Sequence, residues 1–170
     1  MLLALETGRL HLRRMGLDDA GFILDLLNEP SFLRHIGDKG VRTLEDARRY
    51  IAEGPQASYE RFGFGLLLVA RKDGGEPIGI CGLLKREWLA DVDLGFALPP
   101  RFWGQGYARE AASAVLAHAR DPLGLRRVVA VTSPDNEPSI QVLSRLGFRF
   151  ERLARFTEDG PELRLFGLDL

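Results

Sequence analysis

A glycine-rich segment between a predicted strand and a predicted helix constrains this chain more than any other feature. Residues 101–110 read RFWGQGYARE, and the residues that follow recur at helical spacing to about Arg120. Gly104 and Gly106 therefore fall in the first turn of a helix. The free backbone N–H groups and dipole of a helix N-terminus favour anions, and glycine lets an anion approach that backbone. The segment predicts a phosphate or pyrophosphate site, with a tight turn that binds no ligand as the alternative.

The runs around this loop predict a sheet with both parallel and antiparallel strands. Residues 91–98, the helix over 104–120 and the Val-rich run 127–133 make strand, helix and strand in order, which places the two strands parallel. The runs 62–71 and 77–85 are joined by Asp-Gly and Gly-Gly steps, which are strong hairpin signals. We therefore predict a mixed sheet.

The other predicted elements come from periodicity and from capping or turn residues. They are a strand over 8–14, a helix from about Asp18 to Asn28 that Pro30 ends, a loop over 32–40, a helix from Thr43 to about Ala57, a short helix through Ile140, Leu143 and Leu146, and closing strands over 148–156 and 163–168.

Composition and charge exclude several classes of protein. The 170 residues suit a single domain over 1–170, and 23 basic against 24 acidic residues indicate no attraction to nucleic acid or an anionic membrane. The opening run MLLAL is too short for a signal peptide, and no run reaches membrane-spanning length. Cys81 lies in an apolar run and is expected to be a buried hydrophobe in a reducing compartment, which favours the cytoplasm.

The three histidines, His11, His35 and His118, show no metal-ligand spacing, and one cysteine cannot form a zinc cluster, so no metal is predicted.

The glycine segment does not match the common nucleotide-binding motifs. A dinucleotide fingerprint requires Gly or Ala where this chain has Arg109, and the Gly-Lys-Ser/Thr of a P-loop is absent.

Two motifs instead resemble the GNAT acetyltransferase family. Arg101, Gly104 and Gly106 match its Q/R-x-x-G-x-G/A pyrophosphate loop, and Tyr107, Ala108 and Glu110 extend the match. Downstream, the stretch from Asn136 and Ser139 to Leu146-Gly147-Phe148 resembles the family's N-x-x-S helix and its following strand. The opening ETGRLHLRR and the closing Glu162-Leu-Arg-Leu-Phe resemble the branch that contains the ribosomal-protein N-terminal acetyltransferases.

The resemblance implies an α/β (α+β) fold: a mixed, mostly antiparallel sheet of about seven strands flanked by about four helices, with one parallel βαβ crossover at the cofactor site. It also implies that acetyl-CoA is the cosubstrate, with pantetheine in a gap beside the strand ending at Leu98. The cofactor-binding residues expected on this basis are Phe96, Ala97, Leu98, Arg101, Trp103, Gly104, Gln105, Gly106, Tyr107, Ala108, Asn136 and Ser139.

Three residues are candidates for catalysis. Asp93 lies on the polar side of the predicted cofactor strand, where a carboxylate can receive the amine's proton, and its alternative role is a solvated partner of a nearby Arg. Glu162 matches an acidic position in the resembling branch and competes with Asp93. Ser139 matches a family serine near the departing sulfur, although helix capping is an alternative, and Asn136 is equally a helix cap or a cofactor contact.

These residues predict an N-acetyltransferase that acts on a primary amine, either a protein N-terminus or a small molecule, and the resemblance makes a homodimer an expectation. His35, Phe32 and Trp88 are candidates for the acceptor side. Because the tyrosine that many family members carry after Asn136 is missing, a non-catalytic acyl-CoA-binding module is an alternative. A small interaction domain that binds no cofactor is another.

Overall fold

The structure, a computed structural model, describes residues 4–170 and contains an eight-stranded mixed sheet within that range. Residues 1–3 of the run considered above as a signal segment lie outside the described residues. The strands are β1 (Ala4–Glu6), β2 (Leu10–Arg14), β3 (Leu66–Arg71), β4 (Pro77–Leu84), β5 (Asp93–Ala97), β6 (Arg127–Thr132), β7 (Arg149–Ala154) and β8 (Leu163–Asp169).

The strand order is β1-β2-β3-β4-β5-β6-β8-β7, and β5 with β6 is the one parallel pair of the described sheet. The mixed, mostly antiparallel sheet with a parallel crossover is thus confirmed. One strand more than predicted is present, because β1 has only three residues and is too short to show alternation. It pairs with β2, so the long-range pairing defines this strand.

The helices are α1 (Ala20–Leu27), α2 (Pro30–His35), α3 (Leu44–Ile51), α4 (Ala57–Phe62), α5 (Tyr107–Arg120) and α6 (Glu137–Leu146). The loop predicted over 32–40 is partly wrong, because Pro30 begins α2 at a position where its missing N–H costs nothing. The helix predicted from Thr43 to Ala57 continues through a π-helical turn into α4. Gly63, in the left-handed region at φ +78°, then ends α4, so β3 begins at Leu66 rather than at Phe62.

Alternate residues of the strands face two apolar layers. Leu67 and Val69 belong to the cluster that includes the small-residue face of α5, whereas Leu66 and Leu68 pack with α1 and α3. Cys81 is fully buried in the first cluster, and burial raises the pKa of its thiol. No helix among the described residues is both long and apolar enough to cross a membrane.

The parallel strands β5 and β6 pair at one position and then separate along their length. Asp93 of β5 is in register with Val129 of β6, and the Val129 N–H donates to the carbonyl of Val92 at 3.0 Å. Further along, β5 keeps its pairing with β4 to Ala97, while β6 pairs with β8. The edge of β5 that faces β6 therefore has no partner strand over residues 94–97 within the described sheet.

Candidate active site

A cleft enclosing about 470 Å³ opens where β5 and β6 separate. Three parts of the chain form its walls: the segment around α1 and α2, the end of β5 with the glycine loop, and the first half of α6. The lining residues from α1 and α2 are Leu26, Glu29, Ser31, Phe32, His35 and Ile36. The cleft therefore joins the unpaired edge of β5 to the N-termini of two helices.

The glycine loop presents an uncapped helix to this cleft. Gly104 and Gly106 have φ values of +74° and +82°, in the left-handed region that favours glycine. Gly106 is the N-cap of the 14-residue helix α5 and has no side chain to cap it. In contrast, Thr43 caps α3 and Asn136 caps α6 through their side chains. The first N–H groups of α5 are thus left for another acceptor.

Trp103 connects this loop to the end of β5. Its indole Nε1 donates to the carbonyl of Leu98 at 2.8 Å, across five residues of chain. The ring remains 41% exposed and lines the cleft. Loop and strand edge are therefore held together as one surface.

The structure brings most of the predicted cofactor-binding residues to the cleft wall. Those that line it are Phe96, Ala97, Leu98, Trp103, Gly104, Gly106, Tyr107, Ala108, Asn136 and Ser139. Arg101 and Gln105 are not among the lining residues. The Arg101 Nη1 lies 3.9 Å from Glu29 Oε1, and Gln105 Nε2 donates to the Arg101 carbonyl at 3.2 Å.

Asn136 and Ser139 form the N-terminal cap of α6 at the cleft. The Ser139 backbone N–H donates to Asn136 Oδ1 at 3.4 Å, so the capping role of Asn136 is present in the structure. This cap uses the backbone of Ser139 and not its hydroxyl. The cap and a role of the hydroxyl in the cleft are therefore compatible.

Asp93 is more buried than its place on a polar strand face suggests. It is 1% exposed, and the Arg86 Nε lies 3.2 Å from each carboxylate oxygen. Burial raises the pKa of Asp93 to about 6, although Arg86 opposes the shift. The predicted arginine partner exists, but the carboxylate is not solvated. It lies at the closed end of the gap between β5 and β6 and does not line the cleft.

The third catalytic candidate, Glu162, is exposed and precedes β8. It does not line the cleft. The structure therefore does not bring the two carboxylate candidates and Ser139 into one wall. Within residues 4–170, no three His, Cys, Asp or Glu side chains lie close enough to hold a metal ion.

Of the acceptor-side candidates, Phe32 and His35 line the cleft, whereas Trp88 does not and instead packs against Phe156, with the rings tilted and their centroids 5.1 Å apart. His35 Nδ1 lies 3.1 Å from Ser133 Oγ and 3.7 Å from Asp135 Oδ1. These contacts connect α2 to the segment between β6 and α6.

Sequence reasoning missed several of the lining residues. Those outside the prediction are Leu26, Glu29, Ser31, Ile36, Phe102, Arg109, Glu137, Pro138, Gln141, Val142 and Arg145. The residues of α1 and α2 carry no motif. For the α2 part of the wall, Pro30 was an available signal, because proline is common at the first position of a helix.

Comparisons with a family model and with curated relatives both identify acetyltransferases as similar to this chain. The family described as acetyltransferase (GNAT) domain matches residues 9–149. The uncharacterized N-acetyltransferase YoaA of Bacillus subtilis is 31% identical over 154 residues, covering 89% of this chain and 85% of YoaA.

Two solved structures have the same fold as this chain. An acetyltransferase from Agrobacterium tumefaciens superposes with a TM-score of 0.84 at 28% identity, covering 99% of this chain and 95% of that one. RimL, a ribosomal L7/L12 alpha-N-protein acetyltransferase solved with coenzyme A, also superposes with a TM-score of 0.84, at 18% identity, covering 99% and 98% of the two chains.

Proposed function

Since the chain belongs to the GNAT acetyltransferase family and is an acyl-transferring enzyme, we propose that it moves the acetyl group of acetyl-CoA to a primary amine. The observation that carries this proposal is the cleft itself. It combines the free edge of β5 with the uncapped N-terminus of α5, and a long cofactor with a diphosphate and amide groups fits such a surface.

The residues present suit each part of this cosubstrate. The free N–H groups of the first turn of α5, after Gly104 and Gly106, would hold the diphosphate. The edge of β5 at Phe96 and Ala97 that lacks a partner strand would hydrogen-bond the pantetheine amides, as a partner strand would. Bound there, acetyl-CoA supplies an activated thioester for attack by a neutral amine.

The acceptor we propose is an α-amine, such as a protein N-terminus. Roughly a tenth of α-amines are neutral at pH 7, against under a thousandth of lysine amines, given pKa values of about 7.7–8.0 and 10.4. An α-amine therefore requires less help from a base. RimL, named as an alpha-N-protein acetyltransferase, has the same fold, so this fold accommodates an α-amine acceptor.

This proposal is tested by calorimetric titration with acetyl-CoA, followed by measurement of thiol release with a panel of amines. The panel contains a lysine-free peptide with a free N-terminus, the same peptide acetylated at its N-terminus and carrying one lysine, and a small polyamine. We expect saturable binding of acetyl-CoA and turnover mainly with the first peptide. Binding without turnover on any amine would contradict the enzymatic proposal, and faster turnover of the polyamine would assign a small-molecule acceptor.

Ser139→Ala is expected to lower kcat by about 100-fold, because the hydroxyl would relay a proton from solvent to the departing thiolate. The dissociation constant for acetyl-CoA should change by less than about 3-fold, since the backbone of Ser139 keeps the cap with Asn136. Ser144→Ala is the matched control, because Ser144 is an exposed serine of the same helix that does not line the cleft. Full activity of Ser139→Ala would leave this residue without a catalytic role.

A further inference from the structure

Two parts of the chain that carry the resemblance to the family meet outside the cleft: the opening ETGR stretch and Glu110 in the first turn of α5. Glu110 Oε1 accepts hydrogen bonds from Thr7 Oγ1 at 2.6 Å and from the Arg9 N–H at 2.9 Å. Its Oε2 accepts from Arg9 Nε at 2.7 Å and lies 2.7 Å from Arg9 Nη2. Both carboxylate oxygens are thus occupied by residues that lie about a hundred positions earlier in the chain.

Arg9 also contacts the residues at the start of α5. Its guanidinium carbon lies 4.3 Å from the centroid of the Tyr107 ring, which is a cation–π contact. Its Nη2 lies 3.4 Å from the position that a Cβ on Gly106 would occupy. One side chain therefore contacts the first and fourth residues of the helix and lies beside its N-cap.

The charge of Glu110 requires such a partner. Glu110 is the one acidic residue in the first turn of α5, the place where the proposed diphosphate would bind. Burial acts to raise the pKa of Glu110, but the hydrogen bonds from Thr7 and Arg9 outweigh it and hold this pKa below its usual range. Glu110 is therefore ionised, and without Arg9 its charge would repel a neighbouring anion.

We propose that Thr7, Arg9 and Glu110 are positioning residues for acetyl-CoA. The cluster holds the first turn of α5 with its N–H groups toward the cleft, and the guanidinium neutralises the carboxylate behind that turn. This role rests on the proposed function, because it concerns the diphosphate of the same cosubstrate. None of the three side chains lines the cleft, so each acts through the helix and not on the reacting atoms.

Arg9→Ala is expected to raise the KM for acetyl-CoA by about 10-fold, because an unpaired charge then lies behind the diphosphate. The kcat should stay within about 2-fold of the wild-type value, since no reacting group changes. Arg9→Ala combined with Glu110→Gln should recover part of the lost affinity, because the repelling charge is gone. S-acetylpantetheine, which lacks the diphosphate, should be used equally well by the wild type and by Arg9→Ala.

Arg13→Ala is the matched control. Arg13 lies four residues further along the chain and makes a similar bidentate ion pair with Asp19, with Nη2 2.8 Å from Oδ1 and Nη1 2.9 Å from Oδ2, away from α5. It tests the loss of an arginine–carboxylate pair alone, and its KM for acetyl-CoA should stay near the wild-type value. The inference would be overturned by an equal rise in KM for Arg13→Ala or by an unchanged KM in Arg9→Ala. It would also be overturned if adding Glu110→Gln to Arg9→Ala recovered none of the lost affinity for acetyl-CoA. Failure of the wild type to bind acetyl-CoA would instead overturn the proposed function.

Discussion

Asp93→Asn is expected to lower kcat by about 100-fold or more at pH 7.5, because we propose that Asp93, which is buried and does not line the cleft, receives the amine's proton through a water molecule. Its pKa of about 6 places the ionised form in the majority at neutral pH while keeping it more basic than an ordinary aspartate. The wild-type kcat should therefore fall as the pH drops through about 6. This decrease in kcat near pH 6 should be absent in Asp93→Asn.

The same substitution is expected to leave the protein at least as stable at pH 7.5. Because the pKa of Asp93 is raised in the folded state, its stabilising contribution is present below about pH 4 and is lost as the pH rises through about 6. Ionised Asp93 then costs about 3 kcal/mol relative to its protonated form. Asparagine carries no charge, and the remaining Arg86 side chain is still 32% exposed to water.

Urea unfolding at pH 5 and 7.5, with kcat measured from pH 5 to 9, checks both expectations. Asp91→Asn is the matched control, because Asp91 is a neighbouring aspartate paired with Arg127 at 3.2 Å but is 43% exposed. Glu162→Gln tests the competing carboxylate. Full activity of Asp93→Asn would remove Asp93 as the base, and a loss confined to Glu162→Gln would assign that role to Glu162.

Gly104→Asp is expected to weaken the binding of acetyl-CoA by about 100-fold. A carboxylate placed about 6 Å from one phosphate charge costs about 2.8 kcal/mol at an effective dielectric constant of about 20. Gly104 lies at φ +74° with nothing within 4 Å of an added Cβ. The substitution therefore adds charge with little steric conflict. Asp and Asn also tolerate the left-handed region better than other residues.

Two controls separate charge from backbone strain. Gly104→Asn has nearly the same shape without the charge, so its dissociation constant should rise by only about 5-fold. Gly124→Asp places the same charge on a glycine with φ +65° and equally open surroundings, away from the cleft. It should bind acetyl-CoA as the wild type does in calorimetric titration. Equal losses for Gly104→Asp and Gly104→Asn would show that strain, and not an anion site, causes the effect.

The family, the mixed sheet and the main helix follow from short-range signals in the chain. Gly104 and Gly106 precede a helical periodicity, and the glycines after Asp73 indicate a hairpin. Asn136 and Gly147 bracket α6 as predicted, with a side-chain cap at one end and a left-handed glycine at the other. Such signals act within a few residues, so they can be read without the rest of the molecule.

Predictions failed where local signals conflict. Pro30 is compatible with the end of one helix and the start of the next, and only the packing of Phe32 against the core shows that α2 forms. β1 has three residues and exists through its pairing with β2. The alternation along β5 predicted a polar face at Asp93, but Asp93 is 1% exposed, and the alternation contains no information on the Arg86 side chain that pairs with it there.

By itself, the sequence determined most of the elements, the mixed sheet and the glycine loop before the main helix, because periodicity, caps and turns are local properties of the chain. Only the tertiary structure decided that Asp93 is buried against Arg86, that His35 reaches Ser133, and that Arg9 pairs with Glu110. Tertiary packing brings the last two pairs together across 98 and 101 positions. A short sequence pattern contains no information on which distant side chains lie close together in the fold.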